Sequence, residues 1–466
     1  MDELFKAGVD PRAYRLFFLL NQATRIRVRT GCGYSGWEEA GDGLGQGSGA
    51  AAKVSAMNLS KKINRVFKDY EMIKYGAVKQ MPYIFQDDTM CMVEKVEDLR
   101  TVVNLMEIVM NMMQVESNKT KSGYLLLGPK HLVEEAKNRL KEHPIMVGDW
   151  AVQELVKEKW LGDQLCNGLG RSIMATIQSR AGKLRRAAYE ILNIVKDYRA
   201  QRVGGFSTAL LLWEACAIPS LLYNCSTWVG MGRGEEDALA ECQDFFLRLV
   251  LGSGPGAPKH ALRADFGTRC VKLRVWSEKI MMIHHIRNLE EGSLAKVMYS
   301  EQIKNNWPGL SKEVEELCEK LSVEDANETN LPKKMFAKHI KEACRKMEEV
   351  TMQEETSNME KMRKIRADGW GLKDYVKCGT LYNVRRTWEV RAYMLHVAGN
   401  YSHHRRYEAS GWLCQACNLQ IREDQDHLSL CVGYSDLLKG RNLEDNAELV
   451  EFYRLVMARR EREGWD

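Results

Sequence analysis

An α+β chain is what three features of the sequence predict: a small antiparallel sheet with helices, followed by a mostly helical region and a small C-terminal module. Short apolar runs and short helical patterns trade places up to about residue 165, and long amphipathic patterns dominate from about 166 to about 366. A compact cysteine/histidine cluster then stands near the C-terminal end. With 466 residues the chain has room for roughly two to four domains. The composition shifts divide it at 1–165, 166–310, 311–405 and 406–466.

Composition narrows the function classes. The 68 basic and 63 acidic side chains leave a net charge of +5, only a mild lean toward polyanions, so distribution matters more than total. The 13 cysteines are scattered and odd in number, and MDELFKAGVD has no signal-peptide pattern. Together they predict free thiols in a reducing, intracellular setting, nuclear or cytoplasmic. The most apolar stretch, ALLLWEACAIPSLLY (209–223), is broken by Glu214 and Pro219 and is too short to span a bilayer.

In chain order, residues 11–23 read as a helix and TRIRVRTG (24–31) alternates like a strand. A glycine-dense segment, 41–52, runs into a helical pattern carrying Met57, Ile63, Val66 and Phe67. The stretch QMPYIFQDDTMCMV (80–93) has two apolar arms around a short polar middle, the signature of a β-hairpin with its aspartates at or beside the turn. A Met-rich helix over about 96–114, a strand-like SGYLLLG (122–128), a helix near 131–142 and an extended pair in IMVGDWAV follow. Turns are expected at 252–258 and 305–309, and the mixed charges of 311–366 predict solvated helix faces.

Asp87 and Asp88 carry the first candidate chemistry. Two adjacent carboxylates at a hairpin tip stay ionised at low cost when a cation stands beside them. Magnesium, a hard ion with oxygen ligands, meets that need and bridges to substrate phosphates in nucleotidyl transfer. An ordinary Asp-Asp turn is the alternative reading of the pair taken alone. The glycines of 41–49 permit close backbone approach to a nucleic acid, and the helix beyond them offers its N-terminus to a phosphate. A dinucleotide fingerprint fails there, because Gly43-x-Gly45 is followed by Ser48 where the third glycine belongs.

Four motifs in order give these residues a context. Phe85-Gln86-Asp87-Asp88 resembles motif C of the reverse transcriptases of non-LTR (LINE-type) retrotransposons. Gly45-Gln46-Gly47-Ser48 resembles motif B, and Asn118-Lys119-Thr120-Lys121-Ser122 before GYLLLG resembles motif D. Trp160-Leu161-Gly162 resembles the primer grip, motif E. The resemblance implies an RNA-directed DNA polymerase palm, with Asp87 and Asp88 as Mg2+ ligands and Lys121 beside the pyrophosphate leaving group. It also implies contacts of motifs B and E with an RNA template, a primer duplex and an incoming dNTP. A third carboxylate belongs to motif A, on a strand ahead of the helix in which Met1-Asp2 already lie, and Asp2 does not fill its place. The resemblance therefore implies a partial palm without polymerase activity.

Beyond it, residues 171–202 carry eight basic side chains against Glu190 and Asp197. Arg180, Lys183, Arg185 and Arg186 are the candidates there for sequence-blind, salt-dependent phosphate binding in a helical thumb. Trp213 and Trp228 are expected to fill the core of that thumb rather than stack on bases. Finally, Cys414-x2-Cys417-x9-His427-x3-Cys431 presents four ligands suited to tetrahedral zinc. The cluster resembles the CCHC knuckle of several non-LTR families, with His403 and His404 as nearby alternates. A basic thumb and a zinc knuckle without chemistry, a plain nucleic-acid-binding module, is the rival reading.

Overall fold

The computed structural model describes most of the chain beyond residue 48, except 71–73, 76–77, 80–81, 86–87, 168–170, 198–205, 252–258, 359–413, 418, 420–424, 444–445 and 465–466. Before it, only Asp10, Arg12 and four short strands are described. The expected helix over 11–23, apart from Arg12, and the turn at 252–258 lie outside the described residues. The architecture is α+β, mostly helical with small two-stranded sheets. Two compact units divide at Val156/Lys157, so the hairpin over 157–166 goes with the helical unit.

In the first unit, β1 (Arg25–Ile26) pairs with β4 (Glu38–Glu39), and β2 (Arg29–Thr30) pairs with β3 (Gly33–Tyr34). Of the expected strand over 24–31, the described residues Arg25–Ile26 and Arg29–Thr30 are extended, with a register that shifts by one residue between the two pairs. Helix α1 (Gly49–Val66) is followed by the short pair β5 (Lys74–Tyr75) and β6 (Val78–Lys79), then by the hairpin of β7 (Tyr83–Phe85) and β8 (Asp88–Met90). Helix α2 (Val96–Met113) ends where Gln114 turns left-handed, at φ 55°. Its buried Val102 and Val109 meet Leu59, Ile63 and Phe67, with Ile84, Cys91 and Val93 packed against them.

Beyond α2, β9 (Gly123–Tyr124) is followed by α3 (Lys130–Glu142) and the hairpin of β10 (Met146–Val147) with β11 (Trp150–Ala151). β12 (Gln153–Glu154) runs parallel to β9. The expected strand over 122–128 is cut to two residues, because β12 offers only a two-residue partner and Leu127 emerges 58% exposed.

The second unit opens with β13 (Lys157–Trp160) and β14 (Asp163–Cys166), which run onto the 27-residue helix α4 (Arg171–Asp197). After α5 (Phe206–Leu212) the chain makes a π turn, Trp213–Ala217, before α6 (Ile218–Leu221). Pro219 explains it: lacking an N–H and crowding the carbonyl four residues back, it cannot continue a regular helix, and the wider turn absorbs the clash. Trp213 and Trp228 are buried, as expected of core residues, and Trp213 stacks on Phe246 of α7 (Arg233–Leu251) at 4.1 Å and 2°.

The rest of the unit is a helix assembly: α8 (Lys259–Phe266), α9 (Val271–Arg287), α10 (Leu294–Lys304), α11 (Leu310–Leu321) and α12 (Lys333–Thr356). A second core joins Leu273, Ile280 and Ile283 to Val314, Leu317, Phe336 and Ile340, so packing runs without a break across position 310. Most described charges of 311–356 are exposed, as the mixed-charge pattern predicts, with Glu348 buried, while 359–366 lies outside the described residues. Among the described residues, two short helices, α13 (Gln425–Leu430) and α14 (Ser435–Leu438), and the longer α15 (Asn446–Glu463) close the unit. No described helix is long and apolar enough to cross a membrane.

Candidate functional site

The hairpin β7–β8 pairs Tyr83 with Met90, Ile84 with Thr89 and Phe85 with Asp88. That register leaves a two-residue connection, Gln86-Asp87, which itself lies outside the described residues. Alternation sets the faces: Ile84 turns to the helical core, while Phe85, 51% exposed, stands across from an exposed Asp88. An exposed carboxylate at this spot is free to ligate a cation through oxygen, and Asp87 is its immediate neighbour. The nearby Cys91 thiol is pushed up to about 12 by burial and stays an inert core group.

Lys121 sits in a turn organised by Asn118, whose Oδ1 accepts from the amides of Thr120 at 3.1 Å and Lys121 at 3.2 Å. The Lys121 side chain is exposed. Lys119 next to it pairs with Asp149 at 2.9 Å, which holds that carboxyl below its ordinary range. Gly45, Gln46, Gly47 and Ser48 lie outside the described residues.

In the second unit, Leu161 and Gly162 form the two-residue turn of β13–β14, with φ of 45° and 93°. Both values are positive, the twist that a tight hairpin requires and that glycine adopts most readily. Trp160 is half-buried and pairs with Asp163. On α4, Lys183, Arg185 and Arg186 are exposed in a row that also shows Tyr189, and the Arg185 guanidinium lies 5.5 Å from the Phe245 ring centroid. Arg180 departs from the expectation of a phosphate contact: it is 9% exposed and turned inward onto protein acceptors.

The best-formed site is the C-terminal cluster. The four ligand atoms of Cys414, Cys417, His427 and Cys431 lie within 4.8 Å of one another. Cys414 Sγ and Cys431 Sγ are 3.6 Å apart, and Cys417 Sγ is 3.4 Å from His427 Nε2. A regular tetrahedron around zinc, with bonds of about 2.3 Å to sulfur and about 2.0–2.1 Å to nitrogen, has edges of roughly 3.8 and 3.6 Å. Donor types and spacings therefore fit zinc.

Two local structures build the cluster: the turn at 414–417 carries the first two thiols, and α13 carries His427, with Cys431 directly after its last residue. The alternates His403 and His404 lie outside the described residues. A third contributor was not read from the sequence. A Cβ at Gly433 would stand 2.3 Å from the Ala416 carbonyl oxygen, so only glycine lets the two ligand-bearing segments meet. The Gly433 carbonyl also accepts from Arg459 Nη1 at 2.8 Å, tying α15 to the site. Its signal in the sequence was position alone, two residues beyond Cys431.

No protein-family model matches the chain, and no curated protein matches it.

Proposed function

We propose that the chain is the palm-and-thumb portion of a non-LTR-type reverse transcriptase, and that it grips an RNA template paired with a primer strand. The observation carrying this is the two-residue hairpin that sets an exposed Asp88 beside Phe85, next to Asp87. In that family the aspartates of such a turn hold Mg2+ against the triphosphate of the incoming dNTP. Lys121, on an exposed turn, is the acid for the leaving pyrophosphate. Gly45, Gln46, Gly47 and Ser48 position the template, and Trp160, Leu161 and Gly162 grip the primer end. Lys183, Arg185 and Arg186 follow the duplex backbone, and the Cys3His cluster folds a zinc knuckle behind them. Polymerisation in the family uses a third carboxylate, that of motif A. Gripping the template–primer hybrid is the activity the reading assigns to this chain.

The test is a paired assay on an oligo(dT)-primed poly(rA) template with Mg2+. The expected result is binding that weakens steeply with salt and a gain in complex lifetime on adding the complementary dNTP. A hybrid held no better than a neutral polymer would overturn the reading. The exposed basic row and the zinc cluster also suit a binding module without polymerase ancestry. That second reading requires equal affinity with and without dNTP.

A further inference from the structure

Arg180 was placed by sequence among the phosphate-binding residues, yet every interaction it makes points inward. Its Nη1 donates to the carbonyls of Leu221 at 3.0 Å and Tyr223 at 2.7 Å. Its Nη2 donates to the Gly162 carbonyl at 2.9 Å and to Asp163 Oδ1 at 2.6 Å. The other oxygen of Asp163 accepts from Asn224 Nδ2 at 2.6 Å. The guanidinium lies 5.7 Å from the Tyr223 ring and 5.4 Å from the Trp228 ring. One planar group thus bridges the tip of the β13–β14 hairpin, the middle of α4 and the loop after α6.

Further along the hairpin, two side-chain oxygens of α4 accept from strand amides. Thr176 Oγ1 accepts from the Gln164 amide at 2.8 Å, and Ser172 Oγ accepts from the Cys166 amide at 3.1 Å. Those bonds hold the base of β14 and leave the turn to Arg180. The turn is also fitted to that position: a Cβ on Gly162 would come within 3.0 Å of the Tyr223 ring.

We infer that Arg180 is a positioning residue, the pin that sets the Trp160-Leu161-Gly162 turn against the helical unit. Its role at the primer end rests on the reverse transcriptase reading; the pin itself does not. A lysine cannot take its place, because an ammonium is a point donor with three hydrogens and cannot span four acceptors shared between two nitrogens of a rigid planar fork.

Two readouts on the full chain test this. Hydrogen exchange over 157–166 should rise about tenfold or more in Arg180→Lys, with the α9, α11 and α12 amides unchanged. Asp163→Asn, which keeps the carbonyl bonds of Arg180, should give a smaller rise and serves if the lysine variant fails to fold. The second readout is the salt dependence of binding to the RNA–DNA hybrid. Arg180→Gln should weaken affinity with the log–log slope unchanged, whereas Lys183→Gln with Arg186→Gln should flatten the slope by roughly two and leave hairpin exchange alone. Unchanged exchange in both hairpin variants would overturn the inference, and so would a slope reduced by about one in Arg180→Gln, which would make Arg180 a phosphate contact. If the unaltered chain binds no hybrid while Arg180→Lys still frees the hairpin, the pin stands and the polymerase reading falls.

Discussion

At the scale of single residues, spacing announced ligands well and neighbours poorly. Cys414, Cys417, His427 and Cys431 were legible because metal ligation imposes a short-range pattern on the chain. Gly433 was not, because its need for a missing side chain comes from Ala416, seventeen positions earlier. Gly433→Ala should push the two segments apart, costing about 1–3 kcal/mol by overpacking and lowering zinc affinity. Competitive titration with a chromogenic chelator reads this out, and an unaltered zinc constant would contradict it. Another residue-level device is His260, buried with its Nε2 against the Glu355 carboxylate. Burial pushes the imidazole below its ordinary range, Glu355 pulls it back, and Arg263 and Lys259 push it further down. Since the folded value is depressed, the unfolded chain takes up the proton first. The stability this histidine contributes is complete above its ordinary value of about 6.5 and is lost as pH falls through the folded value. Urea midpoints should therefore fall between neutral and mildly acidic pH in the parent and less so in His260→Gln; parallel curves would refute it.

At the scale of elements, helices were the most legible part. The Met-rich pattern expected over about 96–114 is α2 (Val96–Met113), and the helix near 131–142 is α3 (Lys130–Glu142). Amphipathic period is a local property, so it survives without knowledge of partners. Strand length is set by the partner, which explains why SGYLLLG yields only Gly123–Tyr124. The hairpin at the aspartates was legible because its turn and arms lie within one short stretch. Helix α4 was readable as basic, but the inward turn of Arg180 was not, since its acceptors at Leu221 and Tyr223 are over forty positions away. The β13–β14 turn offers an element-level test. At φ 93° and with the Tyr223 ring close by, Gly162→Ala should cost about 1–2 kcal/mol in backbone strain, before any steric term. Thermal melts should show that loss, and the hairpin amides should exchange faster. A melting point equal to the parent's would mean the turn is not held as described.

At the scale of the whole molecule, the separation into Met1–Val156 and Lys157–Asp466 makes a claim about cooperativity. The candidate zinc ligands Cys414 and Cys431 and the helix residue Leu428 belong to the same buried apolar cluster as Tyr434, Phe452, Tyr453 and Met352. That cluster continues to Trp213, Phe246 and Ile177 in the helices that follow the hairpin. A structural zinc contributes on the order of 10 kcal/mol to the folding of a small module. Where the module shares its core with a larger unit, part of that energy stabilises the larger unit as well. Chelation should therefore lower the melting transition of the Lys157–Asp466 unit and leave that of Met1–Val156 in place. Calorimetry with and without chelator, combined with limited proteolysis to assign each transition, measures both. Cys431→Ser should reproduce the shift without chelator. If chelation opens only the chain beyond residue 413 to protease and the main transition stays put, the knuckle folds on its own. The shared core would then be packing without coupling. A shift of the main transition would instead make the metal part of what holds α4, with its basic row, in its place.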